Sequence, residues 1–190
     1  MAQRVRLGPG DWADAALEVL GEGGLSAIAV EPIAARLGAT KGSFYWHFTS
    51  REALVKAALE RWTQLNTEDV IAQLDQEPDP AVRLRRLFDL VIGSGHVSRA
   101  ELALLADADD PLVAPVLARA TARRVAFIAD CYRGMGLRPV ESRHRAVLAY
   151  TAHIGLIQAQ RASGGALVPP RERAAYLRML YAALGPGGNV

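Results

Sequence analysis

Between Thr40 and Arg51 the chain gathers Thr40, Lys41, Ser43, Tyr45, Trp46, His47 and Arg51. These side chains are hydrogen-bond donors, acceptors and cations, not paired carboxylates or a nucleophile with its base. Such a set suits phosphate oxygens and the edges of bases, where phosphate contacts position a protein and base contacts specify a sequence. Tyr45 and His47 can each donate to a phosphate, and Arg51, at a helix start, suits phosphate as well. Lys41 can reach a guanine edge or a phosphate. Ser43 can meet a base edge or, through its methylene, a thymine methyl. Gly42 lets the backbone come close. The ring of Trp46 has two fates, against sugar and phosphate or bracing a neighbouring helix. The implied partner is the major groove of duplex DNA.

Catalysis finds less support. No Ser–His–Asp order, phosphate loop or His-Glu-x-x-His motif is present. His47, His96, His144 and His153 lie far apart, and Cys131 is the only cysteine, so neither an internal disulfide nor a cysteine metal site can be built. The acidic turn Asp107–Ala108–Asp109–Asp110–Pro111 offers too few ligands for a metal. Neither an enzyme nor a cofactor or metal is expected.

A helix of fewer than three turns is unstable alone, so the flanking elements must hold and aim it. Gly8–Pro9 opens a first helix that runs to about Gly21, with Trp12, Ala15, Ala16, Val19 and Leu20 on its buried face. A short second helix, about 30–37, carries Pro32 in its first turn and turns Ile33, Ala34 and Leu37 inward. Gly38 makes the sharp turn and Thr40 caps the helix that follows. Two short helices around a glycine turn have the form of a helix-turn-helix. Phe44 and Phe48 read as core. Tyr45, Trp46 and His47 cannot all join them, so at least one faces outward. From Pro32 to Arg51 there are three bases, Arg36, Lys41 and Arg51, and no acid, a local positive window for a phosphate backbone.

The run Thr40–Lys41–Gly42–Ser43–Phe44–Tyr45–Trp46–His47–Phe48, followed by Ser50–Arg51–Glu52–Ala53–Leu54, resembles the recognition helix and fourth-helix start of TetR-type transcriptional repressors. Ala15–Ala16–Leu17–Glu18 and Ile33–Ala34–Ala35–Arg36–Leu37–Gly38 fit the same pattern, so the likeness covers about residues 7–60. Two departures stand out. Ala29 occupies the place of a threonine cap, a loss of about 1 kcal/mol. Glu31 stands where the family often offers DNA a basic or polar residue; it could accept from a cytosine amino group, but solvent is the simpler surrounding.

The expected fold is all-α, with a helix-turn-helix DNA-binding domain over residues 1–50 and a helical ligand-binding and dimerisation domain over 51–190. Ser50 caps a long helix running toward Leu74, broken by Glu77–Pro78–Asp79–Pro80. Further helices are expected at about 80–97, 99–106, 112–134, 140–162 and 170–184. The helix at 140–162 is apolar nearly all round, which calls for burial on every side. It and the helix at 170–184 are expected to pair with their copies in a two-fold dimer, an isologous contact, on a near-palindromic operator.

In the family a cavity binds a small inducer. Trp62, Phe88, His96, Phe127, Cys131, Tyr150, His153 and Gln158 are the matching candidates, and neither the ligand nor any single residue is identified. The leading expectation is therefore a repressor released from DNA by a small molecule. The alternative is a helical interaction protein of the same fold without specific DNA binding, which Ala29 and Glu31 keep open. With 51% hydrophobic residues and no apolar run long enough for a membrane span, the 190-residue chain is expected in the cytoplasm.

Overall fold

The computed structural model describes residues 7–93, 99–164 and 167–185. The elements are α1 (Pro9–Gly23), α2 (Val30–Arg36), α3 (Lys41–Tyr45), α4 (Arg51–Thr63), α5 (Asp69–Leu74), α6 (Pro80–Phe88), α7 (Arg99–Ala106), α8 (Ala114–Gly134), α9 (Pro139–Ala162) and α10 (Arg173–Leu184). No strand occurs among the described residues, and no described helix is long and apolar enough to cross a membrane. The sequence places helix starts well. Asp11 accepts from the Gly8 amide at 2.7 Å, the Thr40 hydroxyl from Ser43 N at 3.2 Å, and the Ser50 hydroxyl from Ala53 N at 3.2 Å, each satisfying an amide that the first helical turn leaves free. Ala29 precedes α2 without a side-chain cap.

Periodicity does not foresee two π turns. Gln64–Glu68 separates α4 from α5, so the expected single helix to Leu74 is three segments. Asp89–Gly93 follows α6; the remainder of the helix expected to 97, with His96, lies outside the described residues, as do the tail arginines Arg4 and Arg6.

The chain packs as two compact units, residues 1–66 with 98–119, and residues 67–97 with 120–190. The expected DNA-reading segment 1–50 lies wholly inside the first. In that unit α1 is the central post, packed on α2, α4 and α7. Trp12, Ala16, Leu20, Ile28, Ile33, Phe44, Leu54, Val55, Leu59 and Trp62 are buried. At about 1.5–3 kcal/mol for each large apolar side chain, such burial is what holds the short α2 and α3. Gly21 allows α1 to approach α7, since a Cβ there would stand 3.1 Å from the Arg99 Cβ. Asp107 then ties the α7 end to the turn after α1 by accepting from Leu25 N at 3.1 Å.

The second unit has its own core, with Ile71, Leu74, Leu84, Phe88, Phe127, Cys131, Tyr132, Ala146, Ala149, Leu177 and Leu180. Tyr132 donates to the Leu184 carbonyl at 2.7 Å, and Tyr181 stacks on Phe88 while donating to the Arg85 carbonyl at 2.8 Å. The Tyr132 hydroxyl is pushed up to about 12 and the Cys131 thiol to about 11, both chiefly by burial.

Candidate nucleic-acid interface

Gly38 creates the corner between α2 and α3. Its φ of 61° lies in the left-handed region that favours glycine. The Ala39 amide returns to the Ala34 carbonyl at 2.8 Å, closing α2 and delivering Thr40 to cap α3. Phe44 is the anchor. It is 0% exposed, meets Trp12 edge-on at 5.4 Å and stacks on Phe48 at 5.6 Å. With Phe44 and Phe48 turned in, the residues between them must turn out. Tyr45 is 56% exposed and Trp46 88%, and His47 is exposed beside them. Lys41 and Gly42 are exposed on the same short helix and Ser43 is half-buried. Two exposed aromatic rings with an ammonium and an imidazole form a surface that stability alone does not require. Trp46, left with two fates by the sequence, is in solvent.

The three bases of the positive window are all engaged inside the unit. Arg36 donates to Glu22 at 2.6 Å and to Glu18 at 3.4 Å, clamping α2 to α1. Its partnership with Glu22 holds that carboxyl below the usual range and raises the guanidinium. Lys41 donates to Glu31 at 2.5 Å, joining α3 to α2; the hydrogen bond to Lys41 lowers the Glu31 carboxyl, and the same bond raises the lysine. Arg51 sends Nε to the Ile28 carbonyl at 2.5 Å and Nη2 to the Leu25 carbonyl at 2.7 Å. Two of its donors therefore fasten α4 to the backbone that enters α2. Arg61 pairs with Asp14 at 2.5 Å, fixing α4 to α1. The open positive window read from the sequence is thus a set of paired cations, and Glu31, read as solvated, has a partner.

The candidate pocket residues fall in different places. Trp62 is buried in the first unit. In the second, Phe88 and Phe127 belong to the buried core, and Tyr150 packs against it with its hydroxyl 2.9 Å from that of Thr121. His153 is half-buried, and Gln158 is exposed on α9, not turned inward. No group of three or more metal-ligating side chains forms among the described residues.

Residues 13–58 match the family model for bacterial regulatory proteins of the tetR family. No curated relative matches the sequence. Among solved structures, the chain is similar to a transcriptional regulator from Rhodococcus (21% identity, 97% of this chain and 100% of that one, TM-score 0.75). It is also similar to a proposed transcriptional regulator from Saccharomonospora viridis in complex with choline (21%, 91% and 94%, TM-score 0.74). A third is SmeT, the repressor of the Stenotrophomonas maltophilia multidrug efflux pump SmeDEF (19%, 99% and 96%, TM-score 0.69). Residues 13–58 thus carry the N-terminal helix-turn-helix domain of the tetR family of bacterial regulatory proteins, on a chain that shares its fold with solved transcriptional regulators.

Proposed function

We propose that the protein is a homodimeric repressor that reads a near-palindromic operator through Thr40, Lys41, Gly42, Ser43, Tyr45, Trp46 and His47 and is released by a small molecule. The observation that carries DNA reading is the presented face of α3, with Tyr45, Trp46 and His47 exposed around a Phe44 anchor. Phenol and imidazole donors suit phosphate oxygens, and Lys41 and Ser43 suit base edges. Arg51 serves this surface indirectly, by holding the entry to α2.

The dimer reading is supported by what α9 and α10 leave uncovered. Val147, Leu148, Thr151, Gly155 and Ala159 are exposed at helical spacing on α9, and Ala175, Met179, Ala182 and Ala183 on α10. Leu148 is 56% exposed and Met179 55%. Small residues between these larger ones let a second pair of helices approach in a two-fold contact, and a two-fold dimer calls for a near-palindromic operator. The ligand reading draws on the likeness to a structure that holds choline and on the half-buried polar pair Thr121–Tyr150 in the second unit.

Selection from a random duplex library with the purified chain tests the reading. An enriched palindrome is expected, and Tyr45→Ala is expected to bind it more weakly while remaining dimeric. A folded, dimeric protein that enriches no site would refute sequence reading.

A further inference from the structure

We propose that Glu31 is a specificity-determining residue that, together with Lys41, reads the major-groove edge of one C·G base pair in each half-site. The inference rests on the DNA-reading role of α3 and goes beyond it by naming a base pair and a residue of α2. Glu31 and Lys41 lie on different helices and ten positions apart, yet their charged ends meet at 2.5 Å. Both remain open to solvent, with side chains 64% and 57% exposed, and Lys41 stands one turn before the exposed Tyr45 on α3, so the pair borders the presented face of that helix.

The chemistry of the pair is an acceptor beside a donor. Lys41 Nζ carries three protons, of which Glu31 Oε1 takes one, leaving two. The Glu31 carboxylate, with about four acceptor sites, keeps capacity at Oε2 for a further donor. Across the major groove a C·G pair displays a donor, the cytosine N4 amino group, and then two acceptors, guanine O6 and N7. The N4 and O6 groups are themselves joined by a hydrogen bond of about 2.9 Å, so a carboxylate and an ammonium already in contact can meet them side by side. Oε2 can therefore accept from cytosine N4 while Nζ donates to guanine O6 and N7, and the ion pair survives. An A·T pair also sets a donor, adenine N6, beside an acceptor, thymine O4. Its next group on the thymine side is a methyl, which leaves the second lysine proton unmatched. Neutralised by Glu31, Lys41 is poorly suited to a phosphate, and Glu31 would be repelled by one.

Selection from the random library, repeated with Glu31→Gln and Lys41→Ala, tests this. Both side chains are exposed, and thermal unfolding of each variant checks that the fold is kept. The wild type is expected to prefer C·G at one position of each half-site by roughly 5- to 150-fold. Each variant should lose that preference at the same position, and the double variant should lose no more than either alone, the signature of coupled residues. The glutamine amide is expected to move the choice toward adenine. The proposal is overturned if Glu31→Gln keeps the wild-type letter and only tightens binding to every duplex. It is equally overturned if Lys41→Ala makes the salt dependence shallower, by about 0.9 for each phosphate no longer neutralised, without altering any letter. In both cases the wild type still enriches a palindrome and DNA reading stands; a wild type that enriches nothing overturns both.

Discussion

Replacing Arg51 by alanine separates a structural arginine from a phosphate-binding one. Its Nε and Nη2 reach the Ile28 and Leu25 carbonyls at 2.5 and 2.7 Å. A hydrogen bond involving a charged group contributes about 1.5–3 kcal/mol when well shielded. Arg51 is exposed, and the Leu25 carbonyl keeps a second donor, Ile28 N at 3.3 Å. Solvent screening therefore takes each bond below that range, to about 1 kcal/mol, or about 2 kcal/mol for the two together. For a chain of this size that corresponds to about 4–8 °C in Tm. Thermal unfolding and the salt dependence of operator binding should be measured on the same preparations. The expected result is a lower Tm, weaker binding through a loosened α2, and an unchanged log–log salt slope. Arg51→Lys should not restore stability, because one ammonium cannot reproduce the guanidinium fork. An unchanged Tm with a slope shallower by about 1.8 for a two-fold dimer, one phosphate per protomer, would refute the reasoning.

Two further predictions concern the second unit. Cys131 and Tyr132 are raised to about 11 and about 12 by burial, so their neutral forms belong to the fold. Their contribution is complete below the ordinary values of 9.0 and 10.0 and is lost as pH rises through the folded ones. Each shift of about two units amounts to about 2–3 kcal/mol. Stability to urea should fall from pH 9 to 12, and Cys131→Ala should flatten the fall between 9 and 11; equal slopes in the two proteins would contradict this. Leu148→Asp combined with Met179→Asp sets charge on the exposed stripes of α9 and α10 and should give monomers in sedimentation velocity with helicity retained; a persisting dimer would mean that another surface pairs the chains.

Local order was legible in the sequence. Thr40, Ser50, Pro32 and Gly38 mark helix ends because each acts on its neighbours in the chain, and the spacing of Phe44 and Phe48 sets which side of α3 is buried. What the sequence withheld depends on distance in space. Arg36 with Glu18 and Glu22, Lys41 with Glu31, and Arg51 with two carbonyls all join separate elements. A count of local charges cannot pair them. The π turns at 64–68 and 89–93 leave no periodic trace. On α9, an apolar pattern on nearly every side could not tell that Gln158 faces out and Ala146 in.

The three paired bases differ in how easily they could be released to DNA. Arg51 holds backbone that cannot move without disturbing the entry to α2. Arg36 is held by two carboxylates at once. Lys41 has one partner, and both members sit on long, exposed side chains. Only the Lys41–Glu31 pair can rearrange at small cost. Its carboxylate is held below the usual range by the lysine, so its contribution is present above the ordinary carboxyl value and is lost only as pH falls through the lowered one. Near neutrality the pair is intact, and the cations of α2 and α3 add little attraction for phosphate. Glu31→Lys reverses this by removing the partner of Lys41 and adding a second cation. With two more phosphates neutralised by each protomer, the log–log slope of a dimer would steepen by up to about 3.6. Affinity for arbitrary duplex should rise, and the ratio of operator to arbitrary binding should fall, read by titration of both duplexes over a salt series. A variant with the wild-type slope and the wild-type ratio would mean that Glu31 and Lys41 lie outside the reach of the DNA.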